Sequence, residues 1–126
     1  MTSTRDSSGS RGSGGGRTLS LHVIHILLAL ADGDRHGYAI KQEVERQTDG
    51  AVRLGPGTLY EAIQRLEQGE LIEEADAPRR DVDRVPRRYY RLTRKGWTLL
   101  KTEVARLERL VDVAHAKRRL KKAESS

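Results

Sequence analysis

The chain has no cysteine and no phenylalanine, and aromatic residues make up 4% of its 126 residues. Without cysteine there is no disulfide framework, no thiolate zinc site and no thiol nucleophile. The core must therefore be built from leucine, isoleucine, valine and alanine. The longest apolar run, 23–31, is interrupted by His25 and is far shorter than the roughly 20 residues of a membrane span. The first residues lack the apolar core of a secretory signal, so we expect a cytoplasmic protein.

Positive charge is in excess, with 24 lysines and arginines against 18 acidic residues and a formal net charge of +6. A basic balance makes a polyanion the first partner to consider. Residues 18–77 are net acidic, with five cations against eleven acidic side chains. Most of the positive excess therefore lies after residue 77. Eight cations lie close together: Arg79, Arg80, Arg84, Arg87, Arg88, Arg91, Arg94 and Lys95.

The chain is long enough for one domain. Residues 1–17 are rich in glycine and serine, with a single apolar residue, and we expect a disordered tail. The sequence then predicts a folded domain over 18–92, a long helix over 93–120 and a flexible end over 121–126.

Three short helices are predicted first. The segment 19–31 is apolar on almost every side, which is typical of a helix at the centre of a fold or between chains, and Ser20 or Thr18 can cap it. Asp34 is the candidate cap of a second helix over 35–47. Its apolar contribution is Tyr38, Ile40 and Val44.

Gly55 and Pro56 open a third helix that ends at Gln68, since proline is well suited to the first helical position. Its apolar stripe has helical spacing: Leu59, Ala62, Ile63 and Leu66. Two strands follow, over 71–74 and 87–92, joined by a polar, proline-bounded loop. The predicted fold is mainly α with a small β-hairpin: a winged helix-turn-helix followed by a long C-terminal dimerisation helix.

The last helix carries apolar residues at alternating spacings of three and four, as in a coiled-coil seam: Trp97, Leu100, Val104, Leu107, Val111 and Ala114. A helix of about 27 residues is roughly 40 Å long, which exceeds the width of the rest of the domain. We expect it to pack against its own copy in a homodimer. The alternative is that it folds back on the first helix of the same chain.

In a helix-turn-helix, the helix after the turn enters the major groove of DNA, and here that is the helix over 57–68. The candidate contact residues are Gly57, Thr58, Tyr60, Gln64 and Arg65. The glycine lets phosphates approach the helix start, and the two hydroxyls can donate to them. The glutamine can pair with adenine, and the arginine with guanine or phosphate. Glu61 could accept from cytosine, but we expect it to cap the helix together with Thr58.

The hairpin is the stronger indication of a nucleic-acid partner. Arg84, Arg87 and Arg88 are the candidates for holding phosphate, because the forked guanidinium suits that group. Four to six such contacts would give a salt dependence of log K with a slope of about −4 to −5. The alternative is an exposed loop whose arginines pair with Glu73 and Glu74 of the same chain.

Three motifs, in this order, resemble the PadR family of bacterial transcriptional regulators: HGYAI at 36–40, GTLYEAIQRLEQGELI at 57–72 and RRYYRLTRKG at 87–96. The resemblance covers about 19–115 and is closest to the shorter subfamily with a single C-terminal helix. It implies a homodimeric winged-helix protein that binds double-stranded DNA at an operator with dyad symmetry. It also implies that the protein usually represses and that a small-molecule effector or another signal releases it.

Matched one at a time, Thr58 and Tyr60 fall in the block that contacts DNA, and Arg87 and Arg88 fall at the basic start of the second wing strand. The helix from Thr93 matches the family's dimerisation helix. Relatives that sense multiple drugs stack flat molecules on a tryptophan of this helix. Here the one tryptophan, Trp97, is near the helix start, where we expect it to be part of the core.

No other chemistry is indicated. The sequence has no catalytic constellation and no cofactor motif, so we expect neither an enzyme nor a cofactor. His22 and His25 are one helical turn apart, but we expect no metal there. The remaining alternative function is a winged-helix interaction module whose basic hairpin binds an acidic protein partner instead of DNA.

Overall fold

The computed structural model describes residues 19–78 and 87–125. The tail predicted over 1–17, most of the loop that joins the two strands, and Arg84 lie outside the described residues. The described elements follow in chain order: α1 (Leu21–Ala29), β1 (Arg35–His36), α2 (Gly37–Gln47), α3 (Pro56–Gln68), β2 (Ile72–Ala75), β3 (Tyr89–Leu92) and α4 (Arg94–Ser125).

Helix α1 is the centre of the aliphatic core. Ser20 caps it, as predicted, with its hydroxyl oxygen 3.3 Å from the amide nitrogen of Val23. The helix is shorter than expected because Leu30 and Ala31 continue the chain as a turn, donating to the carbonyls of Leu27 and Leu28. Ile26 and Leu27 are fully buried. The mainly aliphatic core that composition predicts is therefore present.

The start of α2 differs from the prediction. Asp34 is not the cap: Arg35 and His36 form a short strand, and the Nδ1 atom of His36 accepts from the amide of Ala39 at 3.1 Å. Tyr38, expected in the core, is 59% exposed, whereas Ile40 is buried as predicted. The reason is helical geometry, since residues two positions apart lie about 200° round a helix, and Ile40 takes the side that faces the core.

Helix α3 begins as predicted, with Gly55 as the N-cap and Pro56 in the first turn. Leu59, Ile63 and Leu66 form the buried stripe. The expected capping by Glu61 is wrong, because the first turn of α3 has no side-chain cap among the described residues. The Glu61 carboxylate instead lies 3.9 Å from the guanidinium of Arg65, one turn further along.

The predicted hairpin is present and is part of a three-stranded antiparallel sheet in the order β1-β3-β2. Strands β2 and β3 pair with Ile72 opposite Leu92 and Ala75 opposite Tyr89. The unexpected strand β1 pairs on the other side of β3, with Arg35 opposite Tyr90. The hairpin is therefore fixed directly to the residue that begins α2.

Helix α4 starts at a tight junction with the sheet. Thr93 donates its hydroxyl to the carbonyl of Glu70 at 2.6 Å and accepts from the amide of Gly96 at 3.0 Å. The helix then continues beyond Leu120, through most of the segment expected to be flexible.

The two halves of α4 have different surroundings. Leu100 is buried, and Val104 and Leu107 pack on the core of the same chain, so this half folds back on the domain, including α1. Trp97 is 39% exposed, so the expectation that it is a core residue is wrong. The helix start turns Gly96 and Leu100 to the domain, and Trp97 lies about 100° round the helix from Gly96. The second half has four exposed large apolar side chains: Leu110, Val111, Val113 and Leu120.

Helix α4 has a buried carboxylate that the sequence pattern does not predict. Glu103 is 3% exposed, and its Oε2 atom has no hydrogen-bond partner within 19–78 and 87–125. The guanidinium of Arg106, one turn away, is 3.6 Å from that oxygen. Over the described residues, none of the helices has the length and apolar character to cross a membrane.

Candidate nucleic-acid interface

The predicted contact residues of α3 lie on one exposed face. Thr58, Tyr60, Gln64 and Arg65 are all exposed, opposite the buried leucine and isoleucine stripe. At Gly57, a β-carbon would meet no atom of the described chain within 4 Å, so the helix start is open. This face is available to a partner without any rearrangement of the core.

Beside this face is a cleft of about 360 Å³, here called the wing cleft. It lies where the start of α2, the side of α3 and the strand β3 meet. Its side chains are His36, Tyr38, Tyr60, Arg87, Arg88 and Tyr90. The structure thus brings together one residue predicted on α3 and two predicted at the base of the hairpin, which are far apart in sequence.

Gly37 makes this arrangement possible. A β-carbon on Gly37 would lie 2.9 Å from the hydroxyl oxygen and 3.0 Å from the Cε1 atom of Tyr60. The ring of Tyr60 therefore lies directly against the backbone of α2. The glycine of the HGYAI motif provides the space for this side chain.

His36 was not predicted as a site residue, although it is also in that motif. Its Nδ1 atom caps α2, while its Nε2 atom is 2.9 Å from the Nη1 atom of Arg87. Its ring meets the ring of Tyr89 edge to face, with centroids 5.3 Å apart. His36 therefore joins α2 to β3 and to Arg87, which lies just before that strand. No local pattern could indicate the contact with Arg87, since the two residues are 51 positions apart.

The arginines of the wing have different environments. Arg91 pairs with Glu73 across the hairpin at 2.9 Å, as the alternative of intramolecular pairing predicted, and this contact raises the pKa of Arg91. A hydrogen bond with Tyr90 raises the pKa of Arg88, and burial raises the pKa of Tyr90. Arg87 and Arg88 are exposed and line the wing cleft, so their charge is presented to solvent.

The other flank of α3 borders a wider groove of about 620 Å³. Its lining includes Thr58, Glu61 and Arg65 of α3 and Lys95 and Leu99 of α4. The exposed face of α3 therefore has an open recess on each side.

The histidines of α1 show no sign of a metal site. No group of three or more metal-ligating side chains occurs in the described part of the chain. The Nε2 atom of Gln47 donates to the carbonyl of His25 at 2.9 Å and lies 3.2 Å from its Nδ1 atom. His25 is thus engaged in joining α1 to the end of α2.

Comparison with known proteins gives a consistent result. The sequence model of the family described as "Transcriptional regulator PadR-like family" matches residues 26–102. These residues include α2, α3, the sheet and the start of α4. The chain is 40% identical over 88 residues to the transcriptional regulator Rv3488 of Mycobacterium tuberculosis, covering 69% of this chain and 76% of that protein. It is 42% identical over 85 residues to an uncharacterised 37.1 kDa transposon protein of Streptomyces fradiae, covering 68% of this chain but 22% of that longer protein.

Solved structures show the same fold. A transcriptional regulator from Clostridium thermocellum superposes with a TM-score of 0.62 at 29% identity, covering 75% of this chain and 86% of the other. Bacillus subtilis PadR in complex with operator DNA superposes with a TM-score of 0.58 at 18% identity, covering 68% and 47%. With the family match over 26–102 and the winged-helix architecture, this chain belongs to the PadR-like family of transcriptional regulators and is not an enzyme.

Proposed function

We propose that this regulator is a homodimer that binds double-stranded DNA in a sequence-specific manner, as a repressor at an operator with dyad symmetry, and that a small-molecule effector releases it. The observation that carries the proposal is the position of Tyr60. Its side chain stands on the exposed face of α3 and also lines the wing cleft with Arg87 and Arg88. One surface thus combines a helix that can enter a groove with cations beside it.

The two parts of that surface contribute differently. The glutamine and arginine of α3, Gln64 and Arg65, can reach base edges, which distinguishes one sequence from another. Arg87 and Arg88 can hold phosphates, which supports affinity for any duplex. Residues 18–77 are net acidic, with five cations against eleven acidic side chains. We therefore expect the wing to provide most of the attraction and α3 most of the discrimination.

The homodimer is supported by the second half of α4. The helix has 32 residues and is roughly 48 Å long, but its buried and half-buried apolar contacts with the domain end near Leu107. Beyond that point, Leu110, Val111 and Val113 are exposed within two turns. Exposed apolar side chains grouped in this way favour an interface, and a second copy with the same seam is the simplest partner. A two-fold dimer would present two copies of α3 to two matching half-sites.

Binding to DNA is tested with the purified chain in two steps. First, selection from a random duplex pool gives a preferred sequence, and titrations across salt concentrations give the slope of log K. Replacing Arg87 or Arg88 with alanine should weaken binding to every duplex and reduce the slope by about one unit for each lost phosphate contact. Replacing Gln64 should relax the preference at one position of the site. Arg109→Ala, which removes an exposed charge of α4 far from the cleft, should change neither.

Two results would contradict the proposal. A selection that returns no preferred sequence would exclude specific recognition. The basic hairpin could instead bind an acidic protein. If random duplex DNA at moderate salt does not displace that protein, the interaction-module alternative is favoured.

A further inference from the structure

The ring of His36 faces two hydrogen-bond donors. The amide nitrogen of Ala39 is 3.1 Å from Nδ1, and the Nη1 atom of Arg87 is 2.9 Å from Nε2. Backbone amides and guanidinium groups can only donate. Both contacts therefore require a lone pair on the ring nitrogen that they meet.

A neutral imidazole has one nitrogen with a lone pair and one that carries hydrogen, and the protonated ring has no lone pair. His36 can therefore accept from Ala39 or from Arg87, but not from both at once. The tautomer that caps α2 turns an N–H towards Arg87. The tautomer that accepts from Arg87 turns an N–H towards the amide of Ala39. While both donors stay in place, one ring nitrogen always presents an N–H group to another N–H donor.

An oxyanion in the wing cleft would remove this conflict. Arg87 and Arg88 are exposed at the cleft, and the forked guanidinium is well matched to phosphate oxygens. If Arg87 turned its N–H groups to a phosphate, the ring could keep its Nδ1 lone pair for Ala39. Its Nε2–H would then face the same phosphate as a further donor. Each polar group would have a partner of the correct kind.

We propose that His36 is a positioning residue of the DNA interface: it holds Arg87 at the wing cleft and transfers it to a backbone phosphate, with the ring then in the Nε2–H form. The inference rests on the proposed function, because the phosphate is that of a bound duplex. The neighbouring Arg35 is directed elsewhere, with contacts to the carbonyl of Ala29, to Asp32 and to Glu43. The rings of Tyr89 and His36 meet edge to face, nearly perpendicular at 86°.

Two substitutions separate the roles of the ring nitrogens. In His36→Asn, the side-chain oxygen can replace Nδ1 as the cap, since asparagine is among the best capping residues, but nothing replaces Nε2. In His36→Gln, the longer amide can take the place of Nε2, but the cap is lost. We expect His36→Asn to keep the wild-type melting temperature and to lose about three- to tenfold in duplex affinity. We expect His36→Gln to keep its affinity within about twofold and to melt less than about 4 °C lower, because in the wild type the cap forms only in the tautomer that does not accept from Arg87.

The probe is a random-sequence duplex of about 30 base pairs at about 50 mM salt, because a phosphate contact does not depend on sequence. His115→Asn, at an exposed position of α4, is the control and should match the wild type in both measurements. A purely structural role for His36 predicts that affinity follows stability in both variants. That result, or equal affinity of His36→Asn and the wild type, would overturn the inference.

The second measurement is the ¹⁵N chemical shift of the His36 ring in the full chain, with and without the duplex. We expect the bound state to show a protonated Nε2 and an Nδ1 that accepts a hydrogen bond. A bound state with hydrogen on Nδ1 would contradict the inference, even if the duplex binds with normal affinity. A wild-type chain that binds no duplex would instead refute the proposed function, and this inference with it.

Discussion

The hydroxyl oxygen of Tyr60 lies 2.9 Å from the position that a β-carbon on Gly37 would occupy. Gly37 is the first residue of α2 and Tyr60 is in the first half of α3, so the contact sets where the tyrosine side chain meets the wing cleft. The absence of a side chain at one residue thus determines the place of another on a different helix.

Gly37→Ala should separate fold stability from DNA binding. The atoms in its way are at the far end of a flexible side chain, and alanine restricts the unfolded chain more than glycine does, by about 0.4–1 kcal/mol. We therefore expect unchanged or higher stability in thermal unfolding, but weaker binding in duplex titrations, since Tyr60 must move. Tyr60→Phe should weaken binding in the wild type and have a smaller effect in the Gly37→Ala background. Fully additive losses would show that the two residues are not coupled.

Gly96→Ala should have the opposite outcome. A β-carbon there would lie 2.0 Å from the carbonyl oxygen of Leu71 and 3.0 Å from its carbon, and neither backbone atom can turn aside. We expect a loss of about 3 kcal/mol in the free energy of unfolding, measured with urea. Gly57→Ala is the matched control, because its β-carbon meets no described atom within 4 Å, and its stability should equal or exceed that of the wild type. Equal stability of the two variants would contradict the tight junction between α4 and the sheet.

A charge in the second half of α4 should disrupt the proposed dimer. Val111 is 50% exposed and stands on the predicted seam, so Val111→Glu would bury a carboxylate in an apolar interface. We expect light scattering after size exclusion to show a shift from dimer to monomer. Ala105→Glu adds the same charge at an exposed position off the seam and should leave the mass unchanged. A monomeric wild type would refute the dimer, while a Val111→Glu dimer would refute this seam.

The protein should lose stability in acid. A hydrogen bond from Arg46 lowers the pKa of Glu43, and one from Arg35 lowers the pKa of Asp32. A carboxyl group with a lowered pKa in the folded state stabilises the fold above its unfolded value, and this contribution disappears as the pH falls through the lowered value. We expect the free energy of unfolding to stay constant as the pH is lowered to about 5, and to decrease once the pH is below about 4.3.

Glu43→Gln tests the source of this acid dependence. The variant should be less stable near neutral pH and should show a smaller loss in acid, because the paired carboxylate is gone. Glu108→Gln, at an exposed position of α4, should keep the wild-type acid dependence. An unchanged pH profile in Glu43→Gln would assign the acid sensitivity to other groups.

Much of the fold was predictable because its signals are local. Pro56, the apolar stripe of α3 and the polar loop between two strands each indicate one element without reference to the rest of the chain. Strand β1 was missed because two residues make a strand only by pairing with β3. Asp34 has the side chain of a typical cap, but pairing of Arg35 and His36 moves the helix start beyond its reach.

The sequence by itself determined the apolar stripe of α3, the concentration of positive charge after residue 78, the motifs shared with the family and the apolar seam of the last helix. These depend on composition and spacing along the chain. Only the tertiary structure decided that Arg91 pairs with Glu73 while Arg87 meets His36, that Trp97 is exposed and that the contacts of α4 with its own domain end near Leu107. The physical reason is that these outcomes depend on which distant residues the packed core brings within contact distance, and spacing along one chain does not specify that.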